Sequence, residues 1–210
     1  MDGEESPARR SIPPGAEPMI KGSVLRAFVH YYTVQQGSDA LDDVLRRVPA
    51  EVRRAFDGSR PAFGVLPWRW YPARYVHAML DAVGEGLSDE ERLAMARASA
   101  RHAIDAMIRG VFKWVLESVT SPHMYARHIQ RIWRGLHDTG RRQITFKSPR
   151  EAESVVEDWG GHHPILCEVV GETTVAVFEA MGCREVRSER LSCVSRGDPR
   201  CATRITWASY

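Results

Sequence analysis

The sequence predicts an α+β fold in which an N-terminal helical bundle packs on a small C-terminal antiparallel sheet with one covering helix. Two observations support this class. Apolar residues recur every three or four positions up to about residue 140, as in amphipathic helices. From about residue 141, short alternating stretches typical of strands replace that pattern, with one further apolar helix between them.

The composition fits a protein of one domain with a short appendage: 210 residues, 43% hydrophobic and 27% charged. Because 29 Lys and Arg nearly balance 27 Asp and Glu, the net charge of +2 provides no field toward nucleic acid or anionic lipid. No apolar run would cross a bilayer, and no signal peptide is visible. We expect a cytoplasmic protein of bacterial type, with no nucleic-acid partner and no membrane span.

Residues 1–19 contain four prolines and few apolar side chains, so we expect a disordered tail there. Residues 20–210 are assigned to a single domain. Its helical half covers about 20–140, and its α/β half covers about 141–208.

The helical half begins with a helix predicted from Lys21 to a stop at Gly37, and a second short helix begins at Ser38. Pro72 suits the first turn of the next helix. The indole rings expected to pin that helix to the core are those of Trp68 and Trp70.

The longest predicted helix begins at a capping box of Ser88 and Glu91, and its apolar stripe runs over 93–115. Ser121 as a cap and Pro122 in the first turn predict the start of the following helix.

The α/β half begins with two predicted strands, "RQITFKS" and "EAESVVEDWG", followed by an apolar helix over "PILCEVVGETTVAVFEAMG". The end of the chain predicts a hairpin of "REVRSERLSCVS" and "CATRITW" around the turn "RGDP".

Cys193 and Cys201 flank this turn, so the hairpin would bring their sulfurs together, and Cys167 on the preceding helix is a natural third thiol. A reducing compartment disfavours a disulfide. Tetrahedral zinc needs a fourth ligand. The residues that could supply it are Cys183, Glu189, Asp198, His162 and His163. The same pattern also fits small buried side chains without a metal, and the spacing does not decide between a zinc site and core packing.

Cys167, Gly171, Gly182, Cys193 and the stretch "GDPRC" at 197–201 together resemble the C-terminal half of the 4-vinyl reductase domain. That family shares its fold with the haem nitric-oxide-binding proteins and with trafficking subunits of the TRAPP type. It serves as a module that senses small molecules or accommodates lipids.

This resemblance implies a zinc site. In phenol-sensing bacterial regulators that carry the domain, three cysteines and a glutamate hold zinc, and the cysteines match Cys167, Cys193 and Cys201. Arg190 replaces the glutamate, and a guanidinium has no acceptor with which to ligate a metal. Glu189, one residue away, could take the fourth position only through a bulge.

The earlier half, "KGSVLRAFVHYYTVQQG" through "WRWYP", is similar to uncharacterised myxobacterial paralogues of the haem nitric-oxide-binding proteins. The Tyr-x-Ser-x-Arg signature with which that family contacts haem is absent, and His102 lies off the apolar stripe of its helix. We therefore expect no haem.

The leading functional hypothesis is a sensing or signalling module in which an apolar pocket between the two halves holds a small hydrophobic ligand. The aromatic residues expected at its wall, if they do not simply pack in the core, are Tyr125, Trp133, Trp114 and Phe146. The signal would pass to a partner protein or to a second copy in a homodimer.

The alternative is a dimeric adaptor of the same fold, without ligand and with an exposed apolar helix face. An enzyme is suggested only by the name of the 4-vinyl reductase family, since the chain has no nucleophile elbow, Walker loop or dinucleotide fingerprint.

Overall fold

The computed structural model describes residues 16–109 and 121–210. Its helical half contains a short two-stranded antiparallel sheet and a set of helices. The strands are β1 (Met19–Lys21) and β2 (Trp70–Pro72). The helices are α1 (Gly22–Gln36), α2 (Ser38–Arg47), α3 (Ala50–Arg53), α4 (Ala73–Gly84), α5 (Asp89–Arg109) and α6 (Pro122–Leu136).

The predicted helix starts are confirmed by their hydrogen bonds. The backbone N–H of Ser88 donates to Glu91 at 2.8 Å, and that of Glu91 donates to the Ser88 hydroxyl at 3.3 Å. Ser121 caps α6 by accepting from the backbone N–H of Met124 at 3.2 Å.

The expectation that Trp68 pins α4 to the core is wrong, because 68% of this residue is exposed. Trp70 instead contributes to β2, where the ammonium of Lys21 lies 4.4 Å from the centroid of its ring. The short β1–β2 ladder, which fixes the start of α1, was not predicted because three-residue strands have too few positions to show a period.

The α/β half forms a four-stranded antiparallel sheet of order β3-β4-β6-β5. Its strands are β3 (Arg141–Ser148), β4 (Glu151–Glu157), β5 (Arg187–Ser192) and β6 (Cys201–Thr206). Helix α7 (Pro164–Ala180) contacts α5 as well as β5 and β6, so it joins the helical half to the sheet. The α+β class is confirmed.

Two apolar clusters make up the core. The first fills the helical half and extends to the sulfurs of Cys167, Cys193 and Cys201. The second lies around Phe178 and Trp207, between α6, α7 and the sheet. No helix in the two described ranges combines the length and the apolar character needed to cross a bilayer.

Gly22 marks the closest approach between α1 and the loop before β2. A Cβ there would clash with the carbonyl oxygen of Leu66 and would lie 2.7 Å from Cε2 of Tyr71. Any side chain at position 22 would therefore push α1 away from this loop.

Candidate metal centre

Four potential metal ligands converge beneath the C-terminal hairpin. The Sγ atoms of Cys167, Cys193 and Cys201 and an imidazole nitrogen of His162 all lie within 4.8 Å of one another. The Sγ–Sγ distances are 3.1 Å between Cys167 and Cys201, 3.5 Å between Cys167 and Cys193, and 3.7 Å between Cys193 and Cys201. Nε2 of His162 lies 3.6 Å from Sγ of Cys193.

The start of α7 positions two of these ligands. His163 is the N-cap, and its Nδ1 accepts from the backbone N–H of Ile165 at 3.2 Å. Cys167 lies buried in the first turn that follows, and half-buried His162 lies just before the cap. The capping bond thus fixes the path of the chain between both ligands.

The turn between β5 and β6 positions the other two. The backbone N–H of Cys193 donates to the carboxylate of Asp198 at 2.7 Å, and Gly197 adopts a left-handed φ of 87°. These features close the turn and bring Cys193 back over Cys201. Asp198, a candidate fourth ligand from the sequence, therefore closes the turn and does not join the cluster.

The donor set suits tetrahedral zinc. Bonds of about 2.3 Å to sulfur and 2.0–2.1 Å to nitrogen imply edges of about 3.8 Å between sulfurs and about 3.6 Å between sulfur and nitrogen. Two of the three sulfur distances and the Cys193–His162 distance lie close to these values, and the third is shorter. Three thiolates and one imidazole would hold a closed, four-coordinate ion.

Glu189, the fourth ligand suggested by the resemblance, is not brought to the sulfurs. It stands opposite Arg204 in the β5–β6 ladder and binds its guanidinium at 2.9 Å, with 65% of its side chain exposed. The bulge between Arg190 and Ser192 comes after Glu189 and leaves it on the solvent side. Sequence reasoning named His162 among the alternatives but had no spacing rule to select it.

Arg190 contacts the cluster from one edge. Its Nη1 lies 2.5 Å from Sγ of Cys167 and 3.8 Å from Sγ of Cys193. Its Nη2 donates to the carbonyl of Cys167 at 3.0 Å and to Glu168 at 2.8 Å. The guanidinium therefore donates to the sulfurs of Cys167 and Cys193.

These contacts shift the pKa values of the cluster residues in different directions. The hydrogen bond from Cys167 lowers the pKa of Cys201 to about 4, whereas the same bond and burial raise the pKa of Cys167. The bond to Cys201 also raises the pKa of His162. Burial opposes the charge of Arg190, but the sulfurs and Glu168 outweigh it and raise its pKa. Of the three thiols, Cys201 is thus the one that ionises most readily, and the guanidinium of Arg190 lies nearby.

Of the four aromatic residues predicted to line a ligand pocket, the three in the described ranges belong to the two apolar clusters or pack against them. Tyr125 packs on Phe178 with centroids 6.2 Å apart, and Phe146 stacks on His123 at 3.8 Å. Trp133 belongs to the cluster of the helical half. Trp114 lies outside the described residues.

A different cavity opens between α4, α5, α7 and the β5–β6 hairpin. This interhelical groove has a volume of about 1610 Å³, and of the described residues that line it none is Tyr125, Trp133 or Phe146. Its walls include Arg97 and Arg101 of α5, Glu168 and Glu172 of α7, and Arg190 beside the cysteines. The groove is therefore charged where an apolar pocket was expected.

No family model and no curated protein matches the sequence. Solved structures do match. An H-NOX protein from S. oneidensis in the Fe(II)NO ligation state has a TM-score of 0.68 at 10% identity, over 90% of this chain and 100% of that one. The Fe(II) unliganded H-NOX protein from K. algicida has a TM-score of 0.66 at 10% identity, over 91% and 98%. The chain has the H-NOX fold.

The likeness to H-NOX structures confirms the fold that the family resemblance implied. A third match, an oxygen-binding H-NOX domain related to soluble guanylate cyclases, has a TM-score of 0.63 at 12% identity, over 90% of this chain and 96% of that one. Because identities of 10–12% show the fold alone, the likeness to the 4-vinyl reductase domain and to myxobacterial paralogues stays a prediction.

The expectation of no haem is wrong. Solved neighbours include one described by the modulation of haem redox potential through porphyrin distortion, with a TM-score of 0.61 at 12% identity. At such identity, a missing three-residue signature does not decide cofactor content. His102 on α5 is the imidazole considered as an axial ligand, and its Nε2 lies 2.9 Å from Nδ1 of His30. A haem iron at that nitrogen would have to displace His30.

Proposed function

We propose that this chain is a small-molecule-sensing signalling module in which a zinc ion holds the C-terminal hairpin against α7. The observation that carries the metal centre is the convergence of four ligand atoms within 4.8 Å, from the start of α7 and both ends of the β5–β6 turn. Buried small residues without a metal would not require an imidazole nitrogen at ligand distance from the sulfurs.

The residues of the cluster would each have a defined role. Cys167, Cys193, Cys201 and His162 would hold the ion, and zinc would supply a cross-link between the hairpin and α7. Three thiolates and a divalent ion leave one negative charge, which Arg190 would compensate as a hydrogen-bond donor to the sulfurs. The centre has a stabilising role and leaves no ligand position for a substrate.

The sensing role is supported by the fold. H-NOX neighbours are described as binding oxygen or in an NO-ligated state, and we transfer small-ligand binding, without the ligand's identity, to this chain. A ligand changes the conformation only if it binds two states with different affinity. Helix α7 contacts both α5 and the hairpin strands, so a ligand that moves α7 would move the hairpin too. The signal would reach a partner protein or a second copy of the chain.

The adaptor alternative predicts an apolar patch on one helix face. The large apolar side chains exposed in the described ranges are Val34, Leu66, Trp68, Leu191, Val194 and Tyr210. They lie on α1, on the loop before β2, on the hairpin and near residue 210, and no helix carries two of them. The structure therefore favours the sensing module over the adaptor.

Native mass spectrometry of the purified chain, compared with its denatured mass, tests the proposal. We expect an increment of one zinc ion per chain, which disappears in Cys193→Ser. A retained organic increment would identify the ligand, and a Soret absorption band would identify it as haem. Protein that carries no metal after expression with added zinc would refute the metal centre.

A further inference from the structure

We propose that the interhelical groove binds a small organic anion that carries phosphate or carboxylate groups. Among the described residues, seven arginines and only five aspartates and glutamates line this groove. This lining therefore has an excess of two positive charges, which favours an anionic ligand. The inference deepens the proposed sensing function by naming a ligand class.

The arginines on the α5 wall are held in place by carboxylates of α7. Nε of Arg97 donates to Glu168 at 2.7 Å, and Nε of Arg101 donates to Glu172 at 2.6 Å. A guanidinium has five N–H donors, and among the described residues Arg97 makes no other hydrogen bond. Its terminal donors are therefore available to a ligand, while the bond to Glu168 fixes their position.

The hairpin wall supplies cations without partners. Arg187 of β5 and Arg196 of the turn before β6 both line the groove and are exposed. Neither forms an ion pair with any residue in the described part of the chain. An anion between the two walls would meet Arg97 from one side and Arg187 or Arg196 from the other.

The chemistry of these walls selects the ligand class. The planar fork of arginine binds carboxylate and phosphate in bidentate fashion. An apolar ligand would instead remove water from the ion pairs of Arg97 and Arg101 without replacing it. The groove is open to solvent, and its volume of about 1610 Å³ leaves room for an organic molecule with acidic groups.

The groove is also connected to the cysteine cluster. Glu168 accepts from Arg97 through Oε1 and from Arg190 through Oε2, at 2.7 and 2.8 Å. An anion that draws Arg97 away from Glu168 would leave this carboxylate to Arg190 alone, next to Sγ of Cys167. This step, which rests on the proposed function, would couple ligand binding in the groove to the hairpin through Arg190.

Calorimetric titration of the purified full chain tests the site, with pyrophosphate and citrate as probes at constant ionic strength. We expect saturable binding of at least one probe, weakened about tenfold or more in Arg97→Gln and in Arg187→Gln. The matched control is Arg131→Gln, an exposed arginine of α6 outside the groove. Preference for pyrophosphate would indicate a phosphate ligand, and preference for citrate would indicate a carboxylate.

Absence of saturable binding of both probes would overturn the inference, as would equal weakening in Arg131→Gln. Since Arg187 has no ion pair to lose, Arg187→Gln keeps the test valid even if Arg97→Gln fails to fold. Zinc content measured on the same samples separates the two proposals: binding without metal rejects only the metal centre, and metal without binding rejects only the anion site.

Discussion

Nη1 of Arg190 lies 2.5 Å from Sγ of Cys167, at a position where the 4-vinyl reductase resemblance places a zinc-binding glutamate. A guanidinium has no acceptor with which to ligate a metal, so at this position it donates to the sulfurs instead. A nitrogen of His162 lies within 4.8 Å of the three sulfurs. In the proposed zinc centre, His162 would therefore be the fourth ligand and Arg190 would compensate the charge.

Replacement of this cation should destabilise the fold. In Arg190→Gln, the partly buried carboxylate of Glu168 loses one of its two cationic partners and the sulfurs lose a charged donor, and we expect the free energy of unfolding to fall by about 2 kcal/mol. Urea unfolding measures it. The matched control is Arg204→Gln, whose ion pair with Glu189 is exposed and should contribute less than about 1 kcal/mol. Equal losses in the two variants would contradict a buried role for Arg190.

The identity of the fourth ligand can be decided by two substitutions. We expect His162→Ala to lower zinc affinity about tenfold or more, since it removes a ligand, and Glu189→Gln to leave it unchanged. Competition with a chromophoric chelator measures the affinity. Cys183→Ser controls for loss of a buried thiol, because Cys183 lies in the other apolar cluster. A larger effect of Glu189→Gln would restore the ligand set expected from the sequence.

Part of the candidate site can be predicted from the sequence. Cys193 and Cys201 could be paired because a hairpin turn has few geometries, and Cys167 could be added as the thiol on the preceding helix, where the family resemblance also places one. His162 could not be selected over Glu189, because its distance from the sulfurs depends on how α7 is capped by His163. Arg190 could be excluded as a ligand, but its contact with Cys167 joins a strand to a helix 23 residues away, and no local pattern predicts it.

His137 should make stability depend on pH. Burial, followed by repulsion from Arg142, lowers its pKa to about 3, and its Nδ1 has no hydrogen-bond partner. Below pH 6.5 the unfolded chain binds a proton that folded His137 does not, so this group makes unfolding more favourable as the pH falls toward about 3. The slope is about 1.4 kcal/mol per pH unit.

A matched variant isolates this contribution. His137→Phe keeps a ring against Trp133, whose centroid lies 4.1 Å away, and cannot titrate. Between pH 7 and pH 5, we expect the wild type to lose about 2 kcal/mol more than the variant. Denaturant unfolding at the two pH values gives the difference. Parallel curves would show that folding does not lower the pKa of His137.

Gly22 should be intolerant of any side chain. In Gly22→Ala, the new Cβ clashes with a backbone carbonyl of the loop before β2, and we expect a loss of about 3 kcal/mol or more. Gly135→Ala provides the control, since nothing lies within 4 Å of the added Cβ on α6 and alanine favours the helix by about 1 kcal/mol. Thermal unfolding ranks the variants, and a stable Gly22→Ala would contradict this packing of α1.

The fold was predictable where a period extends over several turns or where a cap has a defined chemistry. The capping box of Ser88 and Glu91 is an example, since both partners lie within four residues. The predicted pocket residues Tyr125 and Trp133 pack in the apolar clusters, because their spacing marks a buried helix face and does not distinguish packing from ligand contact. The interhelical groove joins residues that are far apart in the sequence, so no local pattern predicts it.

The strand order β3-β4-β6-β5 has a consequence for how the protein is made. During translation β3 is synthesised before β4 and can pair with it at once. The other neighbour of β4 is β6, which begins only at Cys201, after α7 and β5 have been synthesised. During this interval β4 presents an unpaired edge to other nascent chains. Demand for chaperones during translation should therefore be concentrated between the emergence of Glu157 and that of Thr206.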